Sequence, residues 1–270
     1  MSDVMIPLSD ADANEEVTIY VKGFLARGET PAHFDSWYTA HTLLVESHGW
    51  APYALGYQWD SGKLQKFALP VASAAKTIYD IYRFIRHTRS FAPVAAAGWF
   101  VAEQAAVISA RFVGQFLEAR RQASVRAEDL ASRLSDLSEQ HSRVRVVAHS
   151  LGCLQTIEAA ALLAPEVRPH EIHLCAPACL EVDVADKLDA VAREVSYAYY
   201  TKLDHVLDLS FRAISQAHAI GAVGLEGDYA GLSPVDVSHA FDFWVHTEYK
   251  NRFGDIAMLA PKTSRARLSN

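Results

Sequence analysis

Residues 145–154 read RVVAHSLGCL: a short apolar run ends on the polar pair His149-Ser150, meets Gly152 and then turns helical through LGCLQTIEAAALLAP. The segment leading into it, Arg143 to Ala148, is apolar and β-branched, as a strand buried on both faces must be. A strand that passes straight into a helix through Ala148-His149-Ser150-Leu151-Gly152 fits the small-x-Ser-x-small pattern of a nucleophile elbow. In that turn a strained backbone projects the serine hydroxyl off the sheet, and bulky residues at either flank would collide with the adjoining strand and helix. The helix that follows aims backbone N–H groups and the positive end of its dipole at the hydroxyl. A serine that merely caps the helix, beside an incidental glycine, is the plainer alternative.

Working outward, VTIYVKGF (Val17 to Phe24), APYALGYQW (Ala51 to Trp59), EIHLCAP (Glu171 to Pro177), VSYAYY (Val195 to Tyr200) and PVDVS (Pro234 to Ser238) read as further strands. Helical or loop segments separate them; FDSWYTAHTLLVESHG, for instance, carries Trp37, Leu44 and Val45 at helical spacing and stops at Gly49. Apolar strands alternating with helices predict an α/β fold, a mostly parallel, doubly wound sheet with helices on both faces. Residues 1–270 are read as one domain, and 63–137, Ala-rich and helical, as a helical insertion that caps the site. Ordinary sheet-covering helices and a membrane-seeking hairpin are the alternatives for that segment. Its most apolar part, FAPVAAAGWFVA, is about a dozen residues long, against the roughly 20 needed to span a bilayer. Lengthening the span would bury Glu103, so a packed cap is favoured over peripheral membrane contact.

With 25 basic and 32 acidic residues the net charge is -7, which argues against a surface that neutralises phosphates and so against a nucleic-acid partner. The opening MSDVMIPLSDADANEE lacks the basic start and apolar core of a secretory signal, which makes the cytoplasm the expected compartment. Cys153, Cys175 and Cys179, odd in number and in apolar contexts, read as small core residues. Cys175 and Cys179 lack the second ligand pair of a zinc site, so neither metal nor cofactor is expected.

A neutral serine is a weak nucleophile and needs a base and an orienting acid, which in this fold follow it in the order acid, then histidine. Asp204, directly after VSYAYY, is the leading acid; Asp183 and Asp186 come next, and Asp208 falls where a helix should already run. A plain cap of that helix is the alternative for Asp204. For the base, His239 just after PVDVS and His246 at the head of HTEYKNRF both suit the top of the sheet. His149, inside the elbow, points away from the Ser150 hydroxyl. The remaining histidines, His41, His48, His87, His141, His170, His173, His205 and His218, show no ligand spacing and read as surface or partly buried residues. An oxyanion hole would take the backbone N–H of Leu151 and, where Gly23 allows a tight approach, that of Phe24. A glycine that simply ends a strand is the alternative there.

Together VVAHSLG, VKGFLARG with WY behind it, and YALGYQWDSGKL resemble the alpha/beta-hydrolase proteins of the DUF726 group. YYTKLDHVLDLSFR is similar to that group's acid loop, and VDVSHAFDFWVHTEY to its closing strand followed by His-x-x-Tyr. Ala148 stands where glycine is commoner, and the stretch from VDVS to His246 is longer than the group's spacing. The resemblance implies a serine hydrolase fold and, through the His-x-x-Tyr match, His246 as base. The expected activity is hydrolysis of carboxylic or thio esters, esterase- or lipase-like, through an acyl-enzyme. Ser150 attacks, His246 carries the proton, Asp204 fixes the imidazole, and Phe24 and Leu151 bind the oxyanion. The expected partner is a small acyl ester, lipid-like where Trp99, Phe100, Phe112 and Phe116 line an acyl pocket. The alternative is a catalytically inactive binding protein, or a membrane-associated interaction protein, on the same fold.

Overall fold

Among the described residues, seven strands form one sheet in the order β1-β3-β2-β4-β5-β6-β7. They are β1 (Val4–Pro7), β2 (Glu16–Val21), β3 (Ala54–Gln58), β4 (Arg143–His149), β5 (Glu171–Cys175), β6 (Val195–Tyr200) and β7 (Leu232–Asp236). The computed structural model describes residues 4–9, 15–24, 34–59, 61, 114–241 and 245–261. Only the edge pair β1 and β3 is antiparallel; every other neighbour is parallel. This is the mostly parallel, doubly wound α/β architecture expected of an alpha/beta-hydrolase. The strand at the edge, β1, goes beyond the sequence reading: VMIP is four residues long and sits in an acidic stretch, so no alternation develops from which to read it.

Side-chain alternation sorts the helices onto the two faces. On one face Tyr20 of β2, His149 of β4, His173 of β5 and Tyr199 of β6 meet Trp37 of α1 (Asp35–His48) and Phe253 of the last long helix, Val245–Ala257. On the other, Tyr57 of β3 donates a hydrogen bond to Asp129 of α2 (Ala127–Gln140), and Gln155 of α3 (Leu151–Leu162) reaches the Tyr57 hydroxyl. A further helix, α4 (Glu181–Leu188), packs beside α3. We number the Val245–Ala257 helix α5. Gly49 ends α1 in the left-handed conformation at φ 67°, donating its N–H to the Leu44 carbonyl, which is the stop the sequence signalled.

The chain divides into two compact units, Met1–Ser61 with Ala119–Asn270, and Gly62–Glu118. Only 114–118 of the second are described, and of the four aromatic residues expected at an acyl pocket, Phe116 is buried while Trp99, Phe100 and Phe112 lie outside the described residues. The insertion boundary expected at Leu137 falls inside α2, whose Leu130, Leu134 and Leu137 are buried in the sheet unit. That amphipathic helix, polar on its other side, behaves as an ordinary cover for the sheet. Among the described residues, no helix is long and apolar enough to cross a membrane.

Candidate active site

β4 is central, and it ends in a turn that no helix cap explains. Ser150 has φ 55° and ψ -122°, a conformation that costs an L-residue about 1–3 kcal/mol. The surroundings hold it there: the Ser150 N–H donates to the Cys175 carbonyl at 3.0 Å, and the Ser150 carbonyl accepts from Cys153 at 3.0 Å and Ala178 at 3.2 Å. Its side chain makes no capping bond to α3, so the plainer reading of the serine as an N-cap is not what the fold uses. Crowding explains the small flanks. A Cβ at Gly152 would lie 2.7 Å from the carbonyl oxygens of Lys22 and Val21, and Ala148 is fully buried between β2 and β5. Gly23 is under the same constraint, since a Cβ there would stand 2.7 Å from the Ser150 Cβ. Gly23, two residues beyond the end of β2 and one before Phe24, thus passes against the serine, while Leu151 opens α3 on its other side.

His246, the second residue of α5, brings the other candidates together. Its Nε2 lies 3.1 Å from Ser150 Oγ, and its Nδ1 lies 2.7 Å from Asp204 Oδ2. With Nδ1–H donating to the carboxylate, Nε2 is left as the acceptor of the serine proton. Asp204 is wholly buried, and its other oxygen, Oδ1, accepts the N–H groups of Val206 and Leu207, both at 3.1 Å. The contact with His246 and the cap of the following turn thus fall on separate oxygens of one carboxylate.

The other candidates lie elsewhere. His239 is exposed on the short turn Ser238–Ala240, where the nearby carboxylate of Asp236 senses it. Asp183 pairs with Arg120 at the surface, Asp186 lies within α4, and Asp208 faces Arg212 and His218. His41 and His173 depart from the sequence reading, because both are fully buried in the face under α1 and α5. His41 donates from Nε2 to the Ala51 carbonyl and accepts the Tyr20 hydroxyl at Nδ1; burial brings its pKa down to about 4. The cysteines Cys153, Cys175 and Cys179 are buried free thiols, pushed up in pKa by that burial.

No protein family and no curated protein matches this chain in sequence. Among solved structures it is similar to an esterase of the planctomycete Thermogutta terrifontis. In the propionate-bound form of that protein, Est2, the likeness has 13% identity and a TM-score of 0.34, over 97% of this chain and 91% of that one. Native Est2 gives 13% identity and a TM-score of 0.35, over 96% and 90%.

One polar contact at the site has no counterpart in the sequence reading. His149 Nε2 donates to the backbone carbonyl of His246 at 2.8 Å, and the two rings lie 4.9 Å apart. The elbow pattern leaves that position open to almost any residue, so only the three-dimensional approach of α5 to β4 gives the histidine a partner. Tyr249, one turn beyond His246, packs its ring on Phe241 at 4.8 Å and on His149 at 6.1 Å.

Proposed function

We propose that the protein is a serine hydrolase that cleaves carboxylic or thio esters through an acyl-enzyme on Ser150. The observation that carries this reading is His246 bridging Ser150 and the buried Asp204, with contacts of 3.1 and 2.7 Å. Ser150 Oγ attacks the acyl carbonyl as its proton passes to His246 Nε2; the imidazolium so formed is stabilised by Asp204 and returns the proton to the leaving alkoxide or thiolate. Water then repeats the sequence and releases the acid. Phe24 and Leu151 supply backbone N–H groups for the tetrahedral oxyanion, a contribution worth about 3–4 kcal/mol per donor in enzymes of this kind. The likeness of short motifs to the DUF726 group agrees with this reading.

The test is labelling by a fluorophosphonate together with turnover of p-nitrophenyl and thio esters over a series of acyl lengths. Wild type and His239→Ala should label and turn over, and Ser150→Ala and His246→Ala should do neither. Folded wild type that neither labels nor hydrolyses any ester overturns the proposal and leaves a binding protein on a hydrolase fold.

A further inference from the structure

His149 and Ser150 are neighbours on the chain, and both bind the same partner residue. Ser150 Oγ contacts the His246 imidazole, while the His149 ring holds the His246 main-chain carbonyl at 2.8 Å. With Asp204 on Nδ1, His246 is gripped at three points: one on its backbone and two on its ring. We infer that His149 is a positioning residue for the proposed hydrolysis, holding the amino-terminal end of α5 so that His246 stays within reach of Ser150. The inference rests on the serine-hydrolase reading of the site.

Three observations carry it. His149 is itself immobilised: its ring lies 5.9 Å from that of Trp37, 4.9 Å from that of His246 and 6.1 Å from that of Tyr249. Its donor geometry is fixed, because a carbonyl can only accept, so the proton sits on Nε2 and Nδ1 is left bare on the Gly23 side. The bond also joins the end of β4 to the start of α5, elements 97 residues apart in the chain at this pair, where a helix could otherwise shift against the sheet. Displacements of about 1 Å at a reacting centre can cost on the order of a hundredfold in rate. Burial, and then the neighbouring His246, lower the His149 pKa to about 3. The ring thus stays neutral and brings no positive charge against the imidazolium that forms beside it.

The experiment compares His149→Phe, which keeps an aromatic ring but loses the donor, with His149→Gln, whose amide N–H can occupy the Nε2 position. Ester turnover is measured together with the downfield proton NMR signal of the His246 Nδ1–H bonded to Asp204, which reads ring placement whether or not the protein turns over. His149→Phe should lower kcat at least tenfold with KM within twofold, and broaden or lose the signal; His149→Gln should restore kcat to within threefold and restore the signal. A His149→Phe protein within twofold of wild type in kcat with the signal unchanged overturns the inference, as does equal impairment of both variants. Should His149→Phe fail to unfold cooperatively, His149→Gln decides alone, a tenfold loss of kcat counting against the inference. If wild type shows no turnover and no labelling, the hydrolase reading fails by itself. The NMR signal then still decides the His149 contact: loss in Phe with recovery in Gln supports it, and an unchanged signal overturns it.

Discussion

The two oxygens of Asp204 can be separated by mutation, because one caps the turn at Val206 and Leu207 and the other lies 2.7 Å from His246 Nδ1. Asp204→Asn keeps a carbonyl oxygen for the cap and loses the anionic partner of the imidazole. It should fold with a urea midpoint corresponding to a loss of no more than about 1 kcal/mol, while ester hydrolysis falls by about a thousandfold or more. Asp204→Ala should lose both. Equal stability of the two variants would show that the cap contributes nothing. Ser150 offers a second contrast. Its φ of 55° strains any residue with a Cβ, so Ser150→Gly should be about 1 kcal/mol more stable than Ser150→Ala in denaturant unfolding, despite the extra chain entropy of glycine. At this scale the sequence was most legible where backbone geometry restricts residue type: Ala148, Ser150 and Gly152 announce their turn. It turned His149 away from the hydroxyl but was silent on its partner, contributed by a helix that only the tertiary fold brings near, and it left His239 and His246 open because both follow the last strand.

At the level of elements, the site depends on how closely α3 approaches the end of β2. Gly152 sets that distance, with room for no Cβ between α3 and the carbonyl oxygens of Lys22 and Val21. Gly152→Ala should therefore cost about 1–3 kcal/mol, and activity should fall further than the stability loss accounts for, since the helix that carries Leu151 must move away from Gly23 and Phe24. A variant with wild-type melting temperature and turnover would refute this. Strands and helices near the site were readable because their apolar runs are long and their stops, such as Gly49, are explicit. The four-residue β1 and the true affiliation of α2 were not. A short edge strand gives no period, and the Leu130, Leu134, Leu137 stripe of α2 says that one face is buried without saying against which element.

For the molecule as a whole, the buried histidines make stability depend on acidity. His41 and His149 are held down to pKa values of about 4 and 3, first of all by burial, whereas both titrate near 6.5 when unfolded. Below pH 6.5 the unfolded chain therefore binds protons that the folded protein refuses, so stability rises with pH across this window and falls on acidification. Between pH 7.5 and 5 each group should remove roughly 2 kcal/mol, and unfolding at pH 5 should take up about two protons at these sites. Urea titrations at the two pH values test this, and a flat profile would contradict it. Glu171 acts in a lower range. Burial tends to raise its pKa, but hydrogen bonds and charge from His173 and Arg145 outweigh that and hold it below the ordinary carboxylate range. Its contribution is complete above about pH 4.5 and fades as pH drops toward the lowered value. The pairing of β2 with β4 has a consequence in time. Thr18 of β2 and Arg145 of β4 touch across 127 residues of sequence, and β4 itself ends in the turn that strains Ser150. Contacts so remote form late in folding. Until they do, nothing bends the serine out of an ordinary backbone, and a partly folded chain carries an unreactive hydroxyl: reactivity toward a fluorophosphonate should appear last among the probes of refolding.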